Sequence, residues 1–252
     1  MTLIEARGVT KKFGAFCAID SISLSIAEGE FVSIVGPNGA GKTTFVNLLT
    51  GLLHPTIGTV MFKGDNIGVI GPVALAERGM ARAFQLVQIF PQMTVAETLA
   101  TAVVSRRRLS WRMFASVAGD AGVQHRVREI AAAFGLEHRL ETEARLLAQG
   151  EKKLLDVASA FALEPEVILL DEPTSGVSTA EKHGLMKTLV DAAKSAGIKA
   201  VILIEHDMDL VAAYSDRIVA LSEGRVLADL PPGPFFSDAM LIETVIGKRR
   251  QH

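Results

Sequence analysis

The chain has 252 residues, 49% of them hydrophobic, enough for one large domain or for a core with a smaller appended lobe. Its 26 basic and 28 acidic residues leave a net charge of -2, so nothing in the balance calls for nucleic acid or another polyanion as partner. The single cysteine, Cys17, excludes an internal disulfide and a cysteine-rich metal site, and fits a reducing compartment. The opening MTLIEARGVTKKFG lacks the pattern of a secretory leader, and no run reaches the ~18 apolar residues of a membrane helix. If this protein acts at a membrane, another chain crosses it.

In chain order, Ile22, Leu24 and Ile26 alternate, the chain turns at Glu28-Gly29, and an apolar strand is predicted from Phe31 to Val35. That strand runs into a glycine-rich loop. The helical pattern TTFVNLLTGLL follows from Lys42, closed by Gly51 and Pro55, and GTVMFKG reads as a further short strand. Between Gln85 and Leu147 no strand is evident, whereas VAETLATAVV and HRVREIAAAFGL carry helical spacing, which predicts an inserted helical lobe. Strands are expected at Val167 to Leu170, Ala200 to Ile204 and Arg217 to Leu221, with helices at Thr179 to Ala196 and Asp207 to Tyr214 between them. The alternation implies an α/β fold with a largely parallel sheet. LPPGP at 230–234 sets off a last short helix and the basic end GKRRQH.

Two motifs carry chemistry. GPNGAGKTT, residues 36–44, has the G-x-x-x-x-G-K-[ST] pattern between a strand and a helix. Its glycines leave backbone N–H groups free to surround phosphate oxygens, Lys42 supplies a charge to the β and γ phosphates, and Thr43 can ligand Mg²⁺. The second motif is VILLDEP, an apolar strand that delivers Asp171 and Glu172 at its carboxyl end. There Asp171 would orient the Mg²⁺ shell and Glu172 would polarise the attacking water. For DEPTS taken alone, an acidic turn capping the next helix competes with that reading.

The order GPNGAGKTT, ARAFQ, LAQGEKKLLDVASAFALEPEVILLDEP and LIEHD resembles the ATP-binding-cassette ATPases over essentially the whole chain. The resemblance implies a P-loop NTPase (RecA-like) core with a mostly parallel sheet, an N-terminal antiparallel β segment and an inserted helical lobe. The core is expected over 1–84 and 153–229, the helical subdomain over 85–152 and a helical tail over 230–252. Gly36, Pro37, Asn38, Gly39, Ala40, Gly41, Lys42, Thr43 and Thr44 would bind ATP together with Asp171. Mg²⁺ would be held by Thr43, Asp171 and Gln85. Glu172 would be the catalytic base, Gln85 the sensing glutamine between core and lobe, and His206 the switch histidine facing the γ-phosphate, although a lone histidine is more often a satisfied surface or core residue. Phe13 falls where the family places an aromatic that stacks on adenine; a core phenylalanine is the rival. The run SRRRLSWRMF, 105–114, suits an anionic headgroup surface or a solvated edge of the lobe.

MTVAETL, the ARAFQ spelling, IEHDMDLVAAYSDRIV and the short C-terminal helix are similar to the cassettes of branched-chain amino acid uptake systems and of their relatives for small carboxylates or amides. That resemblance implies ATP hydrolysis coupled to import at the cytoplasmic face of the inner membrane. The implied partners are a second ATPase, two transmembrane permease subunits and an extracytoplasmic solute-binding protein, with no nucleic acid. A soluble cassette ATPase in assembly or regulation is the alternative. The family's signature is commonly LSGGQ, and in its head-to-tail dimer the signature acts on the partner's nucleotide. Here Leu147, Ala148, Gln149, Gly150 and Glu151 stand in its place. The hydroxyl is gone at 148, Glu151 brings negative charge toward phosphate, and Ser178 replaces an acidic residue that many members carry. The expectation is an intact cis half and a weakened trans half.

Overall fold

The computed structural model describes residues 1–83, 91–106 and 120–246. In chain order its elements begin with β1 (Thr2–Phe13), β2 (Phe16–Ala27), β3 (Phe31–Val35), α1 (Lys42–Leu49), β4 (Ile57–Phe62) and β5 (Asp65–Asn66). There follow α2 (Pro72–Glu77), β6 (Met80–Ala83), α3 (Val95–Arg106), α4 (Ala121–Ala133), α5 (Gln149–Phe161), β7 (Val167–Asp171) and α6 (Thr179–Ser195). The chain closes with β8 (Ala200–Ile204), α7 (Met208–Tyr214), β9 (Arg217–Ser222), β10 (Arg225–Leu230), α8 (Pro232–Ser237) and α9 (Ala239–Ile246). They form two compact units, one of residues 1–75 with 199–252 and the other of 76–198.

The first unit holds an antiparallel sheet in the order β2-β1-β4-β5 and a second run of strands in the order β10-β9-β3-β8. In the second run β3 lies parallel to both β8 and β9, and β10 closes the edge antiparallel to β9. Every residue of β8 is buried, as the unbroken apolar run AVILI requires of a strand covered on both faces. Behind β3 and β9, Val35, Val211, Ile218, Ala220, Phe235 and Val245 form one core cluster, so α7, α8 and α9 pack on the sheet. Arg217 ties three segments together: it donates to Asp229 on β10, to Glu30 before β3 and to the Ser25 carbonyl on β2.

The second unit contains the parallel pair β6 and β7, with Met80 opposite Val167 and Ala83 opposite Leu170. Its helices start where the sequence supplies caps. At the start of α3 the Glu97 carboxylate accepts the Thr94 amide at 2.8 Å and the Thr94 hydroxyl accepts the Glu97 amide at 3.1 Å, a capping box. The Asp120 carboxylate accepts the Gly122 and Val123 amides at the start of α4. Val95, Leu99 and Val103 on α3 and Val123, Val127 and Ile130 on α4 are buried at helical spacing, and Phe134 meets Phe161 of α5 edge-on at 5.0 Å.

Four strands escape the sequence reading, among them the two-residue β5. In β1 the period of two is broken by register shifts between Ala6 and Val9 and again between Val9 and Lys11, so its buried side chains do not alternate. MARA in β6 has no strand propensity of its own and is extended because β7 pairs with it. RVLADL in β10 is an exposed edge hairpin after Gly224. From Phe31 onward the expected strands, and the helices at 179–196 and 207–214, fall within a residue or two of their predicted bounds, whereas α4 begins four residues ahead of HRVREIAAAFGL and α8 starts at Pro232, inside the LPPGP break.

Asp156 on α5 is a carboxylate whose environment moves it far upward. Burial raises its carboxyl from the ordinary 3.8 to about 7, and the charge of Lys153 pulls it only part of the way back. Between those pH values the folded chain keeps a proton that the unfolded chain has released, so this group lowers stability as pH rises from about 4 to about 7. The gap corresponds to ~4 kcal/mol at most. Asp156→Asn is therefore expected to stabilise the chain by about 2–4 kcal/mol at pH 8 and by only about 1 kcal/mol near pH 4.5, read from urea denaturation at the two pH values.

Candidate functional site

In the first unit, β3 delivers the chain into the loop 36–41 and α1 takes it away at Lys42. Gly36 has φ +151°, and a β-carbon there would collide with the Leu221 carbonyl oxygen at the end of β9. Gly41, the left-handed cap of α1, has φ +97°, and a β-carbon would stand 2.8 Å from both the Ala18 carbonyl oxygen and the Ile19 side chain of β2. Only glycine fits either position. Hydrogen bonds from the Gly224 amide to the Ala40 carbonyl and from the Asp20 amide to the Gly224 carbonyl hold the loop against the β9–β10 turn and β2. No side chain caps α1, so its first turn presents amides and the positive end of its dipole to the loop's mouth. Lys42 is buried, and its Nζ donates to the Gly36 and Pro37 carbonyls at 2.6 and 3.1 Å, tying the end of the loop to its beginning. Thr43, Asn38 and Gly39 are exposed, with Thr44 and Pro37 half-buried.

The same unit carries His206 and Phe13. The buried Glu205 carboxylate accepts the His206 amide at 2.9 Å, orienting the backbone as it leaves β8 and leaving the imidazole exposed. That excludes the core-histidine reading. Phe13 is 48% exposed at the tip of the β1–β2 hairpin, opposite the still more exposed Phe16, so it is not a core residue. The Lys11 ammonium sits 5.2 Å from its ring centroid.

In the second unit, β7 ends on Asp171 and Glu172. Asp171 is buried and accepts from Arg82 Nη2 of β6 at 2.5 Å, both side chains being 8% exposed. Glu172 adopts φ +49°, a left-handed conformation that costs a non-glycine residue of order 1 kcal/mol or more and is held by the turn in which its carbonyl accepts the Ser175 amide. The acidic-cap reading of DEPTS fails here: α6 is preceded by Ser178, whose hydroxyl pairs with Glu181.

The residues 147–151 form the entry to α5. Leu147 is buried, Ala148 and Gln149 are exposed, and Gln149 lies over Gly176, so the signature and the 175–178 turn meet in this unit. Ala148 has no oxygen with which to cap the helix, and the capping runs in one direction only: its amide donates to the Glu151 carboxylate at 2.9 Å. Glu151 also accepts from Arg139 Nε at 2.8 Å. Partial burial pushes the Glu151 carboxyl up, but the Ala148 and Arg139 bonds and the charges of Arg139 and His138 outweigh it and leave the group below the usual range. Within this chain Glu151 directs its charge to Arg139 and to its own helix.

Gln85 and the basic run from residue 107 onward lie outside the described residues. Sequence reasoning missed Arg82, because ARAFQ drew attention to its glutamine; the available signal was a lone arginine in an otherwise apolar tetrapeptide next to a buried acidic strand end. Arg82→Ala leaves the Asp171 carboxylate buried without this counter-ion and is expected to cost about 3–5 kcal/mol. Adding Asp171→Asn to that variant should restore ~1–2 kcal/mol, measured as a double-mutant cycle by urea denaturation.

The chain matches the family described as ABC transporter over residues 19–175. It is 35% identical over 253 residues to the high-affinity branched-chain amino acid transport ATP-binding protein BraF of Pseudomonas aeruginosa, with 98% of each chain covered. To the corresponding protein LivG of Escherichia coli it is 32% identical over 253 residues, again with 98% of each covered. Among solved structures it is similar to a nucleotide-free ATP-binding cassette from an ABC transporter, at TM-score 0.83 and 28% identity over 98% of this chain and 100% of that one. It is equally similar to the ADP conformation of an ABC transporter cassette, at TM-score 0.85 and 28% identity with the same coverage. A glycine loop pinned between β2 and β9, an acidic end on β7 and full-length likeness to these cassettes agree, and the chain belongs to the ABC transporter family as one of its ATP-binding cassettes.

Proposed function

We propose that this cassette is the ATP-hydrolysing subunit of an importer for branched-chain amino acids or closely related small solutes. The observation that carries the reading is the nearly end-to-end likeness to BraF and LivG. Among the described residues no helix is long and apolar enough to cross a membrane. By the likeness to BraF and LivG, the chain would attach peripherally, at the cytoplasmic face, to two permease subunits served by an extracytoplasmic solute-binding protein, and pair with a second cassette.

In this reading the α1 amides and Lys42 receive the β and γ phosphates, and the exposed Phe13 ring stacks on adenine. Thr43 and Asp171 would hold Mg²⁺, with Gln85 as a third ligand. One hydroxyl and one carboxylate suit an ion that takes most of its shell from substrate phosphates and water, and among the described residues there is no cluster of three or more acidic, histidine or cysteine side chains that would favour a protein-built cage. Bound there, Mg²⁺ neutralises charge on the phosphates. Arg82 holds Asp171 in place for that task. Glu172 accepts the proton of the attacking water as its oxygen bonds to the γ-phosphorus and the bond to ADP breaks, while His206 contacts the γ-phosphate. Glu172→Gln is expected to bind MgATP yet lose nearly all turnover, whereas Lys42→Ala weakens nucleotide binding itself; equilibrium binding and steady-state hydrolysis separate the two.

The residues lent to a partner are the weaker half. Ala148 cannot donate to the partner's phosphate, a bond to a charged group worth ~1.5–3 kcal/mol, or roughly ten- to hundredfold. The Ala148 amide, committed to Glu151, is a further donor withdrawn from that end. In a complex with a distinct second cassette, the site pairing the partner's phosphate loop with LAQGE should be the slower. Single-turnover hydrolysis with the base replaced in one chain at a time tests this: Glu172→Gln should remove most of the activity. If replacing the partner's base costs more, the proposed asymmetry is reversed.

A further inference from the structure

The second unit contains a cavity of about 320 Å³ that shares, among its described lining residues, only Arg82 with the nucleotide reading. Among the described residues its polar wall consists of Thr98, Thr101 and Ser105 on α3, Asp156 and Ser159 on α5, and Arg82 on β6. The rest is apolar, contributed by Met93, Ala102 and Leu163 among others. A mostly apolar hollow with a few converging polar groups is the usual form of a small binding site.

The hydrogen bonding of that wall has a direction. The hydroxyls of Thr98, Thr101 and Ser159 each donate to the carbonyl four residues earlier in their own chain, those of Thr94, Glu97 and Leu155, at 2.8–2.9 Å. Their protons are spent, so toward the cavity they offer lone pairs. Asp156 makes no hydrogen bond or ion pair with any described residue. Two cations stand near it, Arg82, whose guanidinium binds Asp171, and Lys153 one turn earlier on its own helix; the residues that α3 contributes carry no charge. Arg82 apart, the wall is therefore rich in acceptors, and burial makes its half-buried carboxylate costly at neutral pH, a cost that the charge of Lys153 only partly offsets. With a single carboxylate and no phosphate oxygens to complete a coordination shell, the wall does not make a divalent-metal site.

We propose that this cavity receives a single alkylammonium or guanidinium group on a short apolar stem, with Asp156 as its counter-ion and the hydroxyl oxygens of Thr98, Thr101 and Ser159 as acceptors. Two sources share that chemistry: a lysine or arginine side chain of a partner chain seated on this lobe, and a free small amine. The site is independent of the nucleotide reading and survives its failure.

The test is calorimetric titration of the full chain at pH 8 with butylguanidinium and butylammonium, and with butylurea as the neutral counterpart. Saturable one-to-one binding of both cations is expected, with butylurea weaker by roughly tenfold or more, the loss associated with a hydrogen bond to a charged group. Asp156→Asn, a variant expected to be more stable than the parent, should weaken the cations by a similar factor, and Thr101→Val by several-fold. A dissociation constant in the millimolar range assigns the site to a tethered side chain, because tethering supplies effective concentrations of ~mM; a micromolar constant assigns it to a free amine. Absence of saturable binding, equal binding of butylurea, or unchanged binding by Asp156→Asn overturns the proposal.

Discussion

Backbone packed against backbone on both sides of the glycine loop is the constraint on which the first unit depends. The Leu221 carbonyl closes on Gly36 and the Ala18 carbonyl on Gly41, leaving no room for a β-carbon at either end. The loop's curvature is thus set by β2, β9 and the turn at Gly224, elements far from it in sequence, and not by the loop's own flexibility. A rigid rim lets the α1 amides point into the mouth without being drawn away by a capping side chain. Lys42 then crosses the loop to its first carbonyls, a resting place that a phosphate group can compete for with a stronger, charge-assisted bond.

Charge is handled differently at three buried or half-buried places. Asp171 is neutralised by Arg82 from the neighbouring strand, which fixes the carboxylate's position at the end of β7. Arg217 has the opposite arrangement, one guanidinium shared by Asp229, Glu30 and a backbone carbonyl, and it serves to join β2, β9 and β10. Asp156 has neither remedy, and its burial is expressed as a raised pKa. The first two patterns stabilise particular geometries; the third leaves a free-energy cost that a ligand could offset.

The signature stretch shows how a local substitution is compensated within one helix. Losing the hydroxyl at 148 removes a helix cap, and Glu151 supplies the reciprocal half of that cap from three residues on while Arg139 balances its charge. Helix α5 therefore starts cleanly at Gln149 despite the missing side-chain oxygen. The glutamine lying over Gly176 adds a second local contact, between the signature stretch and the 175–178 turn of the same unit.

By itself the sequence determined what rests on short-range pattern. The buried strands at 31–35, 167–171 and 200–204 are made mostly of apolar residues, the helices carry their own spacing and caps, and GPNGAGKTT states its phosphate chemistry in residue types alone. Tertiary structure decided what rests on neighbours remote in the chain. It made a strand of MARA by pairing it with β7, and kept β1 extended through bulges that hide its periodicity. It also turned Arg82 toward Asp171 across 89 residues, exposed Phe13 and His206, and bent Glu151 back onto Arg139. The physical reason is common to all of these: side-chain periodicity and turn chemistry act over a few residues, whereas burial and ion pairing depend on which surfaces the whole chain brings together.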